Sequence, residues 1–152
     1  MRIRWYIPSK DIEGFDKSCE ATILNVFRGT KSATEQACRE VLEASLAQVP
    51  RDTNALASTA FYEVNRRSDV KGYVYEGTVG YAGAGRRDAI NPKSGKAASS
   101  YALKVHEDLS VYHPVGKAKF LEDPLRAYAE AHFTRVAESY WYRAIDGGSV
   151  QY

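Results

Sequence analysis

ALASTAFYEVNRRSDVKGYVYEGTVGY, residues 55–81, is the stretch whose reading decides the fold. From Tyr73 to Tyr81 the side chains alternate, with Tyr73, Tyr75, Val79 and Tyr81 sharing a face with Gly77 and with Val74, Glu76 and Thr78 opposite. A period of two is the signature of a half-buried strand. Upstream, Ala55 to Arg67 reads as a strand or a short helical turn leading into one, Phe61 and Glu63 alternating against Tyr62 and Val64. With a turn across Ser68 to Gly72, the two segments predict one long antiparallel hairpin.

Before the hairpin the period changes. Arg2 to Ile7 alternates and is read as a short strand ended by Pro8. Ile12, Phe15, Cys19, Ile23, Val26 and Phe27 then recur every three or four residues, which predicts an amphipathic helix closed at Gly29-Thr30. Ser32 and Glu35 have capping-box spacing and open a second helix to about Gln48, with Cys38, Val41, Leu42, Ser45, Leu46 and Val49 as its buried stripe. Pro50 ends it, and Arg51 to Asn54 has the composition of a turn.

After the hairpin, 82–98 is rich in glycine, lysine and arginine without periodicity and is read as a mobile loop. Asp123 as N-cap and Pro124 in the first turn open a long C-terminal helix. Its stripe is Leu125, Tyr128, Ala129, His132, Val136, Ala137, Tyr140 and Ala144, stopped at Gly147-Gly148, and Ser149 to Tyr152 form a tail or an added strand. The expected architecture is a single α+β domain over 1–152: a small antiparallel sheet packed against two N-terminal helices and a long C-terminal helix.

The bulk properties exclude several classes. A net charge of +2 is too mild for the concentrated basic field of a dedicated nucleic-acid binder. Cys19 and Cys38 have no CxxC spacing and are expected as free thiols in a reducing cytosol. No apolar run approaches the roughly 20 residues that cross a bilayer, so no membrane partner is expected. The 11 tyrosines suit subunit contacts or the edge of the chain's own core.

The densest chemistry lies in SSYALKVHEDLSVYHPVGKAKFLE, residues 99–122. His106-Glu107 begins like a zinc-protease motif, but the next histidine, His113, is seven residues on instead of four, and Pro114 with Gly116 makes that part a turn. No metal site, no catalytic set and no cofactor is expected. Adjacent Glu107 and Asp108 suit a solvated loop better than acid–base work. The stretch is read as a docking loop, its histidines as hydrogen-bonding and interface residues.

VPRDTNALASTAFYEV, residues 49–64, and YALKVHEDLSVYHPVGKAKFLEDPL, residues 101–125, together resemble the minor capsid, tail-completion or neck proteins that join head to tail in tailed bacteriophages. The first is similar to that family's Val-Pro, Asp-Thr-Gly, small-residue spacer, Leu and Ser. The second is similar to its Tyr-Ala, Val-His-Glu and Gly-x-x-Lys-Phe-Leu-Glu core. The likeness extends over about 16–138, with Asn54 where the family has Gly; asparagine tolerates a left-handed backbone, so the turn can survive.

The resemblance implies a non-enzymatic virion component, assembled in the bacterial host cytoplasm as a homo-oligomeric ring, with a hexamer as the implied copy number. Its partners would be other neck, connector and tail-tube proteins, with non-specific contact to phage DNA through Arg86, Arg87, Lys93 and Lys96. In such a ring Glu107, Lys117, Lys119 and Glu122 would fix register by charge, while Tyr101, Tyr112, Phe120 and Leu121 would supply buried area, although Phe120 and Leu121 suit the chain's own core better. The rival expectations are a small metal-dependent hydrolase using His106, Glu107 and His113, and a DNA-binding module built on the basic loop.

Overall fold

A computed structural model describes residues 9–69, 72–83, 86 and 88–146, with the side chains of Ser9, Asp11, Ile12, Asp69 and Tyr73 left out. The elements are α1 (Ser9–Leu46), a 3-10 turn (Ala57–Thr59), β1 (Ala60–Asp69), β2 (Gly72–Tyr81), α2 (Ala98–Glu107), α3 (Glu122–Ala131) and α4 (Phe133–Ile145). The fold is α+β, with helices packed on a two-stranded antiparallel hairpin. The N-terminal strand expected at 2–7 and the tail expected at 149–152 lie outside the described residues.

The hairpin forms as its alternation predicts, Ala60 opposite Tyr81 through to Asp69 opposite Gly72. Tyr75, Gly77, Val79 and Tyr81 face α1. Gly77 allows this approach, because a Cβ there would overlap Cys38 Sγ and lie 3.1 Å from Thr34 Cγ2. One end of the contact is a hydrogen bond, 2.8 Å between the Tyr81 hydroxyl and fully buried Ser45.

The two expected N-terminal helices are one 38-residue helix, about 57 Å long. Gly29-Thr30 does not end it. Gly29 sits under α4, where a Cβ would approach Tyr140 O to 3.2 Å, so this glycine serves a close crossing instead of a stop. The hydroxyls of Thr30 and Thr34 bond back to Val26 O and Thr30 O at 2.8 and 2.9 Å, which satisfies them within the helix. Ser32 is therefore no cap, and Glu35 pairs with Lys31 at 3.5 Å. Downstream the predicted stripe holds, Cys38, Val41, Ser45 and Val49 being buried. Upstream it does not: Phe15 is 68% exposed and Ile23 55%.

The long C-terminal helix is likewise two, broken at His132 with φ −124°. The break lets α3 pack on α1 while α4 crosses back on α1, held by Tyr140 Oη to Gln36 at 2.8 Å and Trp141 Nε1 to Thr30 at 3.1 Å. Tyr128, Ala137 and Ala144 of the expected stripe are buried, whereas Leu125, Ala129 and His132 are exposed. Helix α3 starts one residue before Asp123, so that carboxylate is not the N-cap; it pairs with Lys117 at 2.5 Å.

Candidate interface around the end of α1

The chain from Val49 to Leu56 and the chain from Ala98 to Leu121 close over the C-terminal end of α1. Val49, Leu56, Ala82, Ala98 and Phe120 form one buried cluster, edged by Leu46, Tyr81, Tyr101, Val105 and Leu121. The two stretches that carry the family resemblance therefore share a core. Phe120 is its centre, 2% exposed, with edge-to-face contacts to Tyr81 at 5.1 Å and His106 at 4.9 Å between ring centroids.

Part of the expected docking loop is helical. Helix α2 covers Ala98–Glu107, turning Tyr101, Ala102 and Val105 onto the cluster. Its N-terminal amides are met from outside the helix by Asp88, whose carboxylate accepts from Ser99 N at 3.2 Å and from the Ser99 hydroxyl. These bonds hold the Asp88 carboxyl below its usual range. The loop 82–98 is thus anchored where it is described, with a bridge between Ile90 and Ala97 as well.

Two backbone positions fix the geometry. Asn54 adopts φ +58°, the left-handed conformation the sequence reading allowed it, and its carbonyl accepts from Ser58 N at 2.9 Å. Gly116, at φ +86°, lies so close to the end of α1 that a Cβ would meet Gln48 O, Val49 C and Pro50 N, each at 2.6 Å. Lys117 N to Gln48 O at 2.9 Å and Arg51 N to Val115 O at 3.3 Å clasp the same crossing.

The charged residues singled out in the sequence are brought together within one chain. Lys119 pairs with Glu107 and, at 2.9 Å, with Glu122, which also binds Arg126 at 2.8 Å. Lys119 itself is at φ +58°, a cost of about 1–2 kcal/mol for a residue with a Cβ, held by its N–H donating to His106 O at 2.7 Å. Hydrogen bonds from Lys119, then His106, hold Glu107 below its usual range; Lys119 does the same for Glu122 and Lys117 for Asp123, while Glu107 and Glu122 push Lys119 up.

His106 is engaged on both nitrogens. Its Nε2 accepts from Glu122 N at 3.3 Å and its Nδ1 donates to Glu107 at 2.7 Å, which fixes the Nδ1–H tautomer. His113 is on a separate turn, facing a cleft of about 320 Å³ between the 50–56 turn, the Asn91–Lys96 loop and Val115. Among the described residues no three histidine, cysteine, aspartate or glutamate side chains converge as a metal cluster. Nor is any described helix long and apolar enough to cross a membrane.

No family model, curated protein or solved structure matches this chain.

Tyr112 is 85% exposed and Leu109 77%, so both are open to a partner. Phe120 is not, because its ring is spent on the chain's own core; Tyr101 is half-buried against that core. Of the basic loop, Arg86 pairs with Glu63 and stacks 3.7 Å over the Phe61 ring, and Lys93 pairs with Asp52. Arg87 lies outside the described residues, and Lys96 lines the cleft beside His113. Sequence reading passed over Asp88, which caps at long range; it took Gly116 as a turn residue without the crossing it makes with a segment 67 positions away, and it placed Phe15 on a buried stripe that no described element covers.

Proposed function

We propose that the protein is a head–tail joining component of a tailed phage, a tail-completion or neck protein that works as a homo-oligomeric ring without catalysing a reaction. The observation that carries the ring is the apolar surface left open. Phe15, Ile23 and Leu24 on α1, Leu109, Val111 and Tyr112 beyond α2, and Leu125 and Phe133 on α3 and α4 are exposed, whereas the buried core is small and rich in alanine.

Such a surface belongs to a subunit that finishes its core in an assembly. The phage assignment is supported by the resemblance of residues 49–64 and 101–125, and by the way those stretches pack into one unit. The action would be mechanical: subunits assemble on the end of one structure, stop its growth and present the surface that accepts the other. Sedimentation and electron microscopy of the purified protein test this, with closed rings of uniform copy number expected. A protein strictly monomeric at high concentration and missing from virions would end the proposal.

A further inference from the structure

The first part of α1, residues 9–24, is an arm about 24 Å long. Glu13 to Ser18 are all exposed. On this arm Phe15, Cys19 and Ile23 continue upstream the helical line on which Gly29 sits under α4 and Ala33 is buried, so the apolar face runs on into the exposed part of the helix. Glu13, Asp16 and Glu20, three and four residues apart, form an acidic row along one flank of that face. Counting Lys10 and Lys17 against Asp11, Glu13, Asp16 and Glu20, the arm carries a net charge of −2.

The opposite end of α1, about 57 Å away, holds the complementary features. The cleft of about 320 Å³ has an apolar lining from Leu56, Tyr101 and Val105, a volume suited to one large side chain. Its charges are Arg51 and Lys96; Asp52, which also lines it, is paired with Lys93. Lys96 forms no ion pair among the described residues. His113 Nε2 is buried beside the cleft without a hydrogen-bond partner among the described residues, a polar atom open to a group from outside the chain.

We propose that the α1 arm of one copy docks on the cleft end of the next copy, with Phe15 entering the cleft and the acidic row facing Arg51 and Lys96. This rests on the ring-forming reading and names its contact. A patch at one end of a rod meeting a different patch at the other end is a heterologous contact, the kind that propagates and closes into a ring instead of stopping at a pair. Opposite charges orient the approach, and the apolar stripe supplies the area.

The test uses the full chain and two variants that each spoil one half. Phe15→Glu blocks the arm and leaves the cleft intact; Lys96→Glu with Val115→Glu blocks the cleft and leaves the arm intact. All three positions are exposed, and far-ultraviolet circular dichroism checks that both proteins stay folded. By sedimentation velocity each variant alone is expected to be monomeric, while an equimolar mixture gives a heterodimer and nothing larger, since only one good contact can form. Glu13→Lys with Asp16→Lys should also abolish assembly and should regain pairing when mixed with Lys96→Glu.

Rings that persist in Phe15→Glu overturn the inference and leave the ring-forming proposal standing. So does self-pairing of the cleft-blocked variant, which would mean arm meets arm, or failure of the two blocked variants to combine. A monomeric wild-type chain removes both.

Discussion

The two halves of α1 carry the same helical period and meet opposite fates. From Gly29 onward the helix is enclosed by α4, the hairpin and the 49–56 and 115–121 crossings. Before Gly29 the cover thins: Val26 and Phe27 are half-buried, and Phe15, Ile23 and Leu24 stand in solvent. The enclosed half even includes Ser45, fully buried and bonded to Tyr81, while the bare half exposes a phenylalanine, an isoleucine and a leucine. Periodicity states which face of a helix seeks cover. Where that cover comes from depends on chain connectivity: the described elements after residue 50 fold back on the downstream half and leave Phe15, Ile23 and Leu24 of the upstream half exposed.

The largest effects are expected in the enclosed half. Phe120→Ala removes the centre of the cluster and should cost about 3–5 kcal/mol, read as a fall in the urea midpoint, because the ring touches Tyr81 and His106 and has no room to be replaced by water. Gly116→Ala is next. The left-handed backbone alone costs about 1–2 kcal/mol, and a methyl 2.6 Å from three backbone atoms forces the crossing apart, so a loss of at least about 2 kcal/mol is expected. A melting temperature unchanged by Gly116→Ala would mean the 115–117 crossing does not hold the end of α1.

These sites also show what the sequence makes legible. The hairpin was readable because alternation is local and both strands lie within 22 residues of each other. Asn54 was readable because its left-handed tolerance is a property of the residue itself. The single α1 was not, since Gly29 looks the same as a helix stop and as a seat for α4, and only Tyr140, 111 positions on, distinguishes them. The break at His132 was hidden in the same way, by an unbroken stripe whose first part is turned outward. Of the candidate interface residues, Tyr112 is open, Phe120 is core, and the charged set is absorbed into pairs inside the chain.

Those pairs give a pH dependence confined to the enclosed half. Glu107, Glu122, Asp108 and Asp123 are all held below their ordinary values of 4.5 and 3.8, so their contribution is complete above those values and is lost as pH falls through the lower folded ones. Lys119 is raised above 10.5, so its contribution is complete below that value and is lost only as pH rises past it. Thermal stability should therefore be insensitive to this cluster at neutral pH and decline below about pH 4.5. Lys119→Met should flatten that acid limb, and an unchanged acid limb would show that the pairs contribute nothing. The arm has no described ion pair with another element and should add no comparable slope.

The smallest effect separates the halves most cleanly, because it reverses the sign of a glycine substitution. Gly14 has nothing within 4 Å of a would-be Cβ and lies within a helix, so Gly14→Ala meets no clash and gains helix propensity of about 0.5–1 kcal/mol. An arm that no described element covers opens independently of the core. The gain should therefore appear as amide exchange in residues 10–24 slowed by up to about five-fold, with the global melting temperature almost unmoved. If the melting temperature rises in step with exchange protection, the arm is coupled to the core and is not a free element. If only exchange slows, the arm is a separate unit whose order is set by local propensity, the free element that the proposed docking of arm on cleft requires.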